Sequence, residues 1–421
     1  MTSFPPKRKS APSEARASRP PRRGGGFSRR AFVGGAAAGV AGAAALGTIS
    51  LTGCSSSGDD WVGDPQNISD EDLISYVADD FEYVEETFTP LYTWTLPLGT
   101  LLYYSEGSWS AAMMAPESAL YVNTLGAVSL LTGEQVTLVT EPVSGSRYGF
   151  YDVRCSAKVF VWVEENFNTG DWVLIAQQFA SGALSGSAVQ LDSGDADWEP
   201  PKIAVTGKSV IWYKMPLASG SQSSSYSHCY RWTLGESEGV ELYESPGRFA
   251  ANPRISDGVL TICPRVNASS GTYYGLTAID MDAEDAIIAR LVMPSTVKPF
   301  EAVYMNDTFA FSVEANYGYG GYLGNMGSYI GLSGGPYVAL SREPLACIGG
   351  KGSRYYVKVL SSHYVLDTEA LTYSVLTAPN DTLDYGDYPA GEGESTMFVT
   401  YCTLRGEDGP PESVCMRVFE L

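Results

Sequence analysis

From about residue 91 onward, apolar and polar positions alternate with a period of two. The runs are short and are broken by Gly, Pro, Asn, Asp and Ser. Alternation of this kind puts successive side chains on opposite faces of an extended chain, so it predicts half-buried β-strands. The clearest runs are Val159-Phe160-Val161-Trp162-Val163, Val210-Ile211-Trp212-Tyr213, Thr308-Phe309-Ala310-Phe311-Ser312-Val313 and Met397-Phe398-Val399-Thr400-Tyr401. No helix of convincing length interrupts them: 283–289 is short and lies between strand signals. The absence of alternating strand and helix patterns disfavours a doubly wound sheet. Upstream, 67–90 reads as a short acidic helix and lead-in. Ser69 with Asp72 resembles a capping box, and Leu73, Val77, Phe81 and Val84 recur at helical spacing. This helix is expected to pack on the side or end of the main fold.

The strong runs repeat. Units begin near Trp109, Tyr148, Pro200, Ala251, Glu301, Leu345 and Tyr388, at intervals of 39–52 residues. Each holds one run before the strong strand and two after it, which is the period of a four-stranded blade. The last unit has strands over 396–404 and 414–420 and then lacks an outermost strand, which the segment 91–104 can supply. The expected fold is therefore all-β: a β-propeller over 91–421 closed by an N-terminal strand, with seven blades preferred and six or eight compatible. A short Pro-containing inner strand, a turn and a Trp/Tyr-rich strand recur, as in Pro200-Pro201-Lys202-Ile203 followed by Trp212-Tyr213. In this the units resemble TolB-like and related bacterial propeller repeats, over roughly 109–421, and the resemblance implies the propeller fold. The Ser-Pro-Asp-Gly turn of those repeats is replaced at one such place by Val205-Thr206-Gly207-Lys208. The Asp-box of sialidase-type blades is absent, so no functional residue transfers.

Two N-terminal strings give an address. Ser28-Arg29-Arg30-Ala31-Phe32-Val33 resembles a twin-arginine export signal read through Arg29 and Arg30. Leu51-Thr52-Gly53-Cys54 resembles a lipobox that directs lipidation, such as palmitate, to Cys54. A mild Gly/Ala-rich stretch joins them. Residues 1–53 are then a signal peptide and 54–66 a polar tether. The expected location is the outer face of the cell membrane, lipid-anchored.

Charge narrows the partners. The chain is −21 overall, and because 1–53 carries nine Lys/Arg and one Glu, the remainder is −29. Such a chain does not attract nucleic acid or an anionic membrane by general electrostatics, so the membrane is met through the lipid only. After Cys54 six cysteines remain, none in a C-x-x-C pair, which excludes common zinc and redox motifs. Most sit in apolar runs and read as small buried hydrophobes. Cys402 and Cys415 flank a turn symmetrically and are candidates for a cross-hairpin disulfide.

Catalytic constellations are scarce. The two histidines, His228 and His363, read as structural or exposed, and no nucleophile elbow, P-loop or dinucleotide fingerprint stands between a strand and a helix. Carboxylates cluster at Asp192, Asp195, Asp197 and Glu199, and at Asp381, Asp384 and Asp387. Oxygen ligands so spaced could hold calcium, although Asp is also common in turns; no other cofactor is expected. The loop over 316–327 sets Tyr317, Tyr319 and Tyr322 on a glycine-rich backbone, which suits stacking on a ligand. The loop over 219–225 is expected to be mobile. The leading expectation is a surface-anchored, non-enzymatic propeller that binds or scaffolds an extracellular protein or glycan. The alternative is a glycosidase or lyase using carboxylates in the central funnel.

Overall fold

The computed structural model describes residues 65, 74–116, 118, 122–332, 336–383 and 386–421. Arg29, Arg30, Cys54, Ser69, Asp72, Leu73 and Asp384 lie outside the described residues. The described strands fall into seven sheets, numbered here in chain order. The first holds Leu101–Tyr103, Trp109–Met114, Thr124–Ser129 and Gln135–Val139. The second holds Gly149–Cys155, Val159–Glu165, Trp172–Ala180 and Ala183–Gly194. The third is Ile203–Thr206, Ser209–Lys214, Ser227–Thr233 and Val240–Ser245. The fourth is Arg254–Ser256, Val259–Ile262, Gly271–Asp280 and Ala286–Val292, with Arg265–Ala268 paired to the start of its long third strand.

The fifth is Glu301–Met305, Thr308–Val313, Gly327–Gly331 and Tyr337–Leu340. The sixth is Gly349–Lys351, Arg354–Val359, Ser362–Asp367 and Thr372–Thr377. The seventh is Tyr388–Pro389, Met397–Arg405 and Pro411–Glu420, completed by Tyr92–Pro97. That last pairing is antiparallel, from Tyr92 opposite Val418 to Pro97 opposite Ser413. The first strand of each sheet faces the centre of the ring, and the fourth lies at its edge.

The strongest strands are not half-buried as expected: Val159–Glu165, Ser209–Lys214 and Thr308–Val313 are buried along nearly their whole length. Both faces of every sheet are covered by a neighbouring sheet, so apolar residues of both registers are buried. One cluster joins the first sheet to the second around Phe160, Trp162 and Phe179, and another joins the second to the third around Trp172, Trp212 and Trp232. Tyr213 and Phe249 belong to the next, and Phe311 and Tyr329 to the one after it. Further clusters join the fifth to the sixth and the sixth to the seventh. The ring closes where Leu96, Val414 and Met416 of the seventh sheet meet Leu102 and Val128 of the first. The fold is an all-β propeller with almost no helix.

Among the described residues, the expected helix is shortened to one turn. Ile74–Tyr76 is a strand, parallel to Tyr337–Leu340 at the edge of the fifth sheet. A single helical turn follows, Val77–Asp80, then a two-residue strand, Glu82–Tyr83, parallel to the edge of the sixth sheet. Val77 and Phe81 are buried between those two sheets. Residues 74–97 thus form a belt across the edges of the fifth, sixth and seventh sheets. The segment 91–104 divides: Tyr92–Pro97 is the outer strand of the seventh sheet, and Leu101–Tyr103 is the inner strand of the first.

The axis of the ring is crossed by residues 391–396. Gly393–Glu394 pairs in parallel with Gly349–Lys351. The Glu394 amide donates to Ser256 Oγ at 2.8 Å. Arg254 grips Glu301 with two bonds of 3.0 Å and Glu392 with one of 2.5 Å, so one guanidinium ties the fourth and fifth sheets to the crossing segment. Glycine is required at 393: its φ is +76°, and a Cβ there would stand 2.9 Å from Ser256 Cβ.

Candidate functional site

Successive strands in each sheet are antiparallel, so connections alternate between the two faces of the ring. The links from second to third strand and from sheet to sheet share one face, called upper here. A cavity of 720 Å³ opens there between the third and fourth sheets. Its wall includes the connection 246–252, Glu199 and Lys202 ahead of the third sheet, Arg265 and Tyr274 of the fourth, and Lys298 ahead of the fifth. Met215 and Phe249 are its buried apolar members, Phe249 lying flat on Tyr213 at 3.9 Å.

Each charged side chain has a definite place. Arg248 Nη2 donates to Glu199 Oε1 at 2.6 Å, and Nη1 donates to the Pro216 carbonyl. Lys202 Nζ donates to the Tyr151 hydroxyl at 3.0 Å. Arg265 stands directly opposite Tyr274 in the hairpin that extends the fourth sheet, and its guanidinium lies 3.6 Å from that ring centroid. Lys298 is exposed. Burial leads in pushing the Tyr317 phenol above its ordinary value, and the nearby Lys298 backbone opposes it. Four cations thus face one carboxylate. Sequence reasoning missed this site, because no local motif marks residues drawn from 199 to 298.

The tyrosine loop is only partly the platform expected. Tyr319 is 83% exposed. Tyr317 and Tyr322 are half-buried and pack on the cluster between the fourth and fifth sheets. A 3₁₀ turn, Gly321–Gly324, folds the loop back; the Tyr329 hydroxyl donates to the carbonyls of Tyr322 and Asn325, and Asn316 Oδ1 accepts the Met326 amide. Gly324 allows the close return, since a Cβ there would stand 2.7 Å from the Tyr317 carbonyl.

The expected calcium ligands are not gathered. Asp192 accepts from Lys214 Nζ at 2.7 Å and Trp212 Nε1 at 3.0 Å. Asp195 accepts the Asp197 amide, and Asp197 accepts from Ser221, so both serve turns. Asp381 is exposed in a turn of positive φ, whereas Asp387 is fully buried and paired with Arg417. Among the described residues, the group whose ligand atoms come together is His228 with Glu241 and Glu244, on the outer strands of the third sheet; the nearest approach is 3.3 Å, to Glu241. Cys402 and Cys415 are opposite each other in register, but both are buried free thiols, in contact without a bond.

A second polar group is sealed between the sixth and seventh sheets. Lys358 Nζ donates to the carbonyls of Val359 and Leu360, and burial pushes its ammonium down to about 8. His363, read from sequence as structural or exposed at a turn, is fully buried in a strand. Burial, reinforced by Lys358 and Arg417, pushes its imidazole well below the ordinary range and keeps it neutral. Burial raises the Asp387 carboxyl despite the opposing pull of Arg417.

At the lower face a cavity of 390 Å³ surrounds the axis, lined in part by Glu106, Arg154, Lys351, Glu392 and Glu394. Glu106 accepts from the Ala157 and Gly207 amides and the Thr206 hydroxyl, which ties the first sheet to the second and third.

No family model matches the chain, and no curated protein matches it. Solved structures do. A prolyl endopeptidase is similar at 12% identity with a TM-score of 0.51, over 79% of this chain and 51% of that one. The β-propeller domain of the trilobed protease from Pyrococcus furiosus is similar at 11% identity and a TM-score of 0.49, over 76% and 95%. Oligogalacturonate lyase from Vibrio parahaemolyticus is similar at 10% identity and a TM-score of 0.45, over 79% and 98%. The chain spans about half the length of the prolyl endopeptidase. At 12% identity the likeness to the prolyl endopeptidase concerns the fold alone, and the sheet pairing itself shows a β-propeller architecture.

Proposed function

We propose that this chain is a lipid-anchored, seven-bladed propeller, one blade per sheet, that binds an extracellular ligand on its upper face without catalysing a reaction. The observation that carries the reading is the 720 Å³ upper-face cavity, which lies within the size range that encloses small ligands and is built from connecting segments on a rigid frame. The alternative, a glycan-cleaving enzyme, needs a convergent pair of carboxylates at the axis free to act as acid and base. Glu301 and Glu392 are instead held on Arg254, and Glu106 is engaged by three donors, so these acids serve as cross-links. The signal strings supply the location: Arg29 and Arg30 for export, Cys54 for the anchor.

The test is a glycan and peptide array probed with the protein, followed by mass spectrometry of each ligand retained. Binding without cleavage is expected; turnover of a bound ligand would sink the non-enzymatic reading. In cells, Cys54→Ala should leave the protein exported but no longer membrane-held, and Arg29→Lys with Arg30→Lys should block export.

A further inference from the structure

We propose that the upper-face cavity takes a small ligand carrying at least two negatively charged groups, carboxylate or phosphate. The inference rests on the upper face being the binding face and adds the ligand's chemistry. Acidic residues outnumber basic ones by 48 to 27 in the chain, yet this wall reverses the ratio: Lys202, Arg248, Arg265 and Lys298 against Glu199. Gathering like charges is unfavourable unless an opposite charge is supplied.

Two of the four are already satisfied within the protein, Arg248 by Glu199 and Lys202 by Tyr151. Arg265 and Lys298 are not: among the described residues no hydrogen bond or ion pair engages the guanidinium of the one or the ammonium of the other. The Tyr274 ring occupies a face of the Arg265 guanidinium. A stack of that kind leaves the N–H edge available, and that edge binds carboxylate or phosphate through two parallel bonds. Two cations without a protein partner on one cavity wall favour a ligand that presents two negative groups.

The experiment is calorimetric titration of the full chain carrying Cys54→Ala with citrate and with pyrophosphate, using trimethyl citrate as the neutral control. Saturable one-site binding of at least one anion is expected, weakening as salt is added, with no binding of the ester. The two arms separate a carboxylate preference from a phosphate preference. Arg265→Gln and Lys298→Gln should each lower affinity about tenfold or more, while Lys208→Gln, at a turn on the lower face, should not. Lys298 is exposed, so its variant tests the site even if Arg265→Gln disturbs the hairpin. Failure of both anions to bind at low salt, or binding unaltered by Lys298→Gln, would overturn the proposal. If neutral array ligands bind and are lost on upper-face substitution, the binding face stands and only the anion assignment falls.

Discussion

Arg254→Met tests how the centre of the ring is held. Arg254 is 9% exposed and is the shared partner of Glu301 and Glu392, whose side chains are 13% and 25% exposed. Methionine keeps the aliphatic stem and removes the charge, so two largely buried carboxylates lose their counter-ion together. Removing one member of a buried ion pair typically costs about 3–5 kcal/mol. Partial exposure of Glu392 lets water return to it, which places the expected loss near the lower figure. A fold of this length unfolds with an entropy of roughly 0.7 kcal/mol/K, so about 3 kcal/mol lowers Tm by about 4 °C. Differential scanning calorimetry at neutral pH reads it directly. Adding Glu301→Gln and Glu392→Gln to Arg254→Met should recover most of the loss, because the orphaned charges are gone. A Tm within 1 °C of the parent for Arg254→Met alone would refute the account.

His363 has its pKa below the ordinary 6.5, so between those two values the unfolded chain binds a proton that the folded one refuses. Stability should therefore fall as pH drops through about 6.5, and His363→Phe should flatten melts recorded from pH 7.5 to 5; an unchanged slope contradicts the assignment. Deleting Val414–Leu421 should abolish the cooperative melt, because Pro411–Glu420 lies between two strands of the seventh sheet and its loss exposes both edges; a single melt near the parent temperature counts against ring closure. Tyr319→Ala should change stability by no more than about 0.5 kcal/mol in urea denaturation, since its ring is in solvent; a large loss would mean that it packs.

The strands were legible because their alternation is local. Val159–Glu165 and Thr308–Val313 announce themselves from composition and period, and the missing outer strand of the last unit pointed back to the segment that supplies Tyr92–Pro97. The helix expected near residue 77 shrinks to the single turn Val77–Asp80 for a tertiary reason. Apolar residues three and four apart suit a helix, but here Ile74, Val77 and Phe81 serve two different sheets, and edge pairing outweighs intrinsic preference.

Tyr317, Tyr319 and Tyr322 are equivalent in the sequence; one turn of 3₁₀ helix separates them into one exposed ring and two packed ones. The acidic run at 192–197 looked like a ligand set because the partners that engage it, Lys214, Trp212 and Ser221, lie farther along the chain. The cationic cavity draws single residues from several connections, so no window contains it. Its one sequence-level trace is that cations are scarce after Cys54 and that several fall in connections of the same face.

The belt over 74–97 has a consequence for the order in which the molecule is made. Its residues leave the ribosome before the rest of the ring, yet they pair with strands of its last three sheets. Glu86 meets Arg354, 268 positions on, and Ser374, 288 positions on, and Tyr92–Pro97 waits for Pro411–Glu420. The first four sheets hold all their strands within their own stretches of chain and can form as they emerge; the fifth and sixth add a strand made long before them, and the seventh stays open until Pro411–Glu420 has been made. A route that threads the chain outward from its N-terminus would carry the belt away before its partners existed. The export route proposed above, which moves finished cargo, would keep the two ends of the ring in the same compartment while they join, and folding speed would then help decide when the molecule is ready to leave.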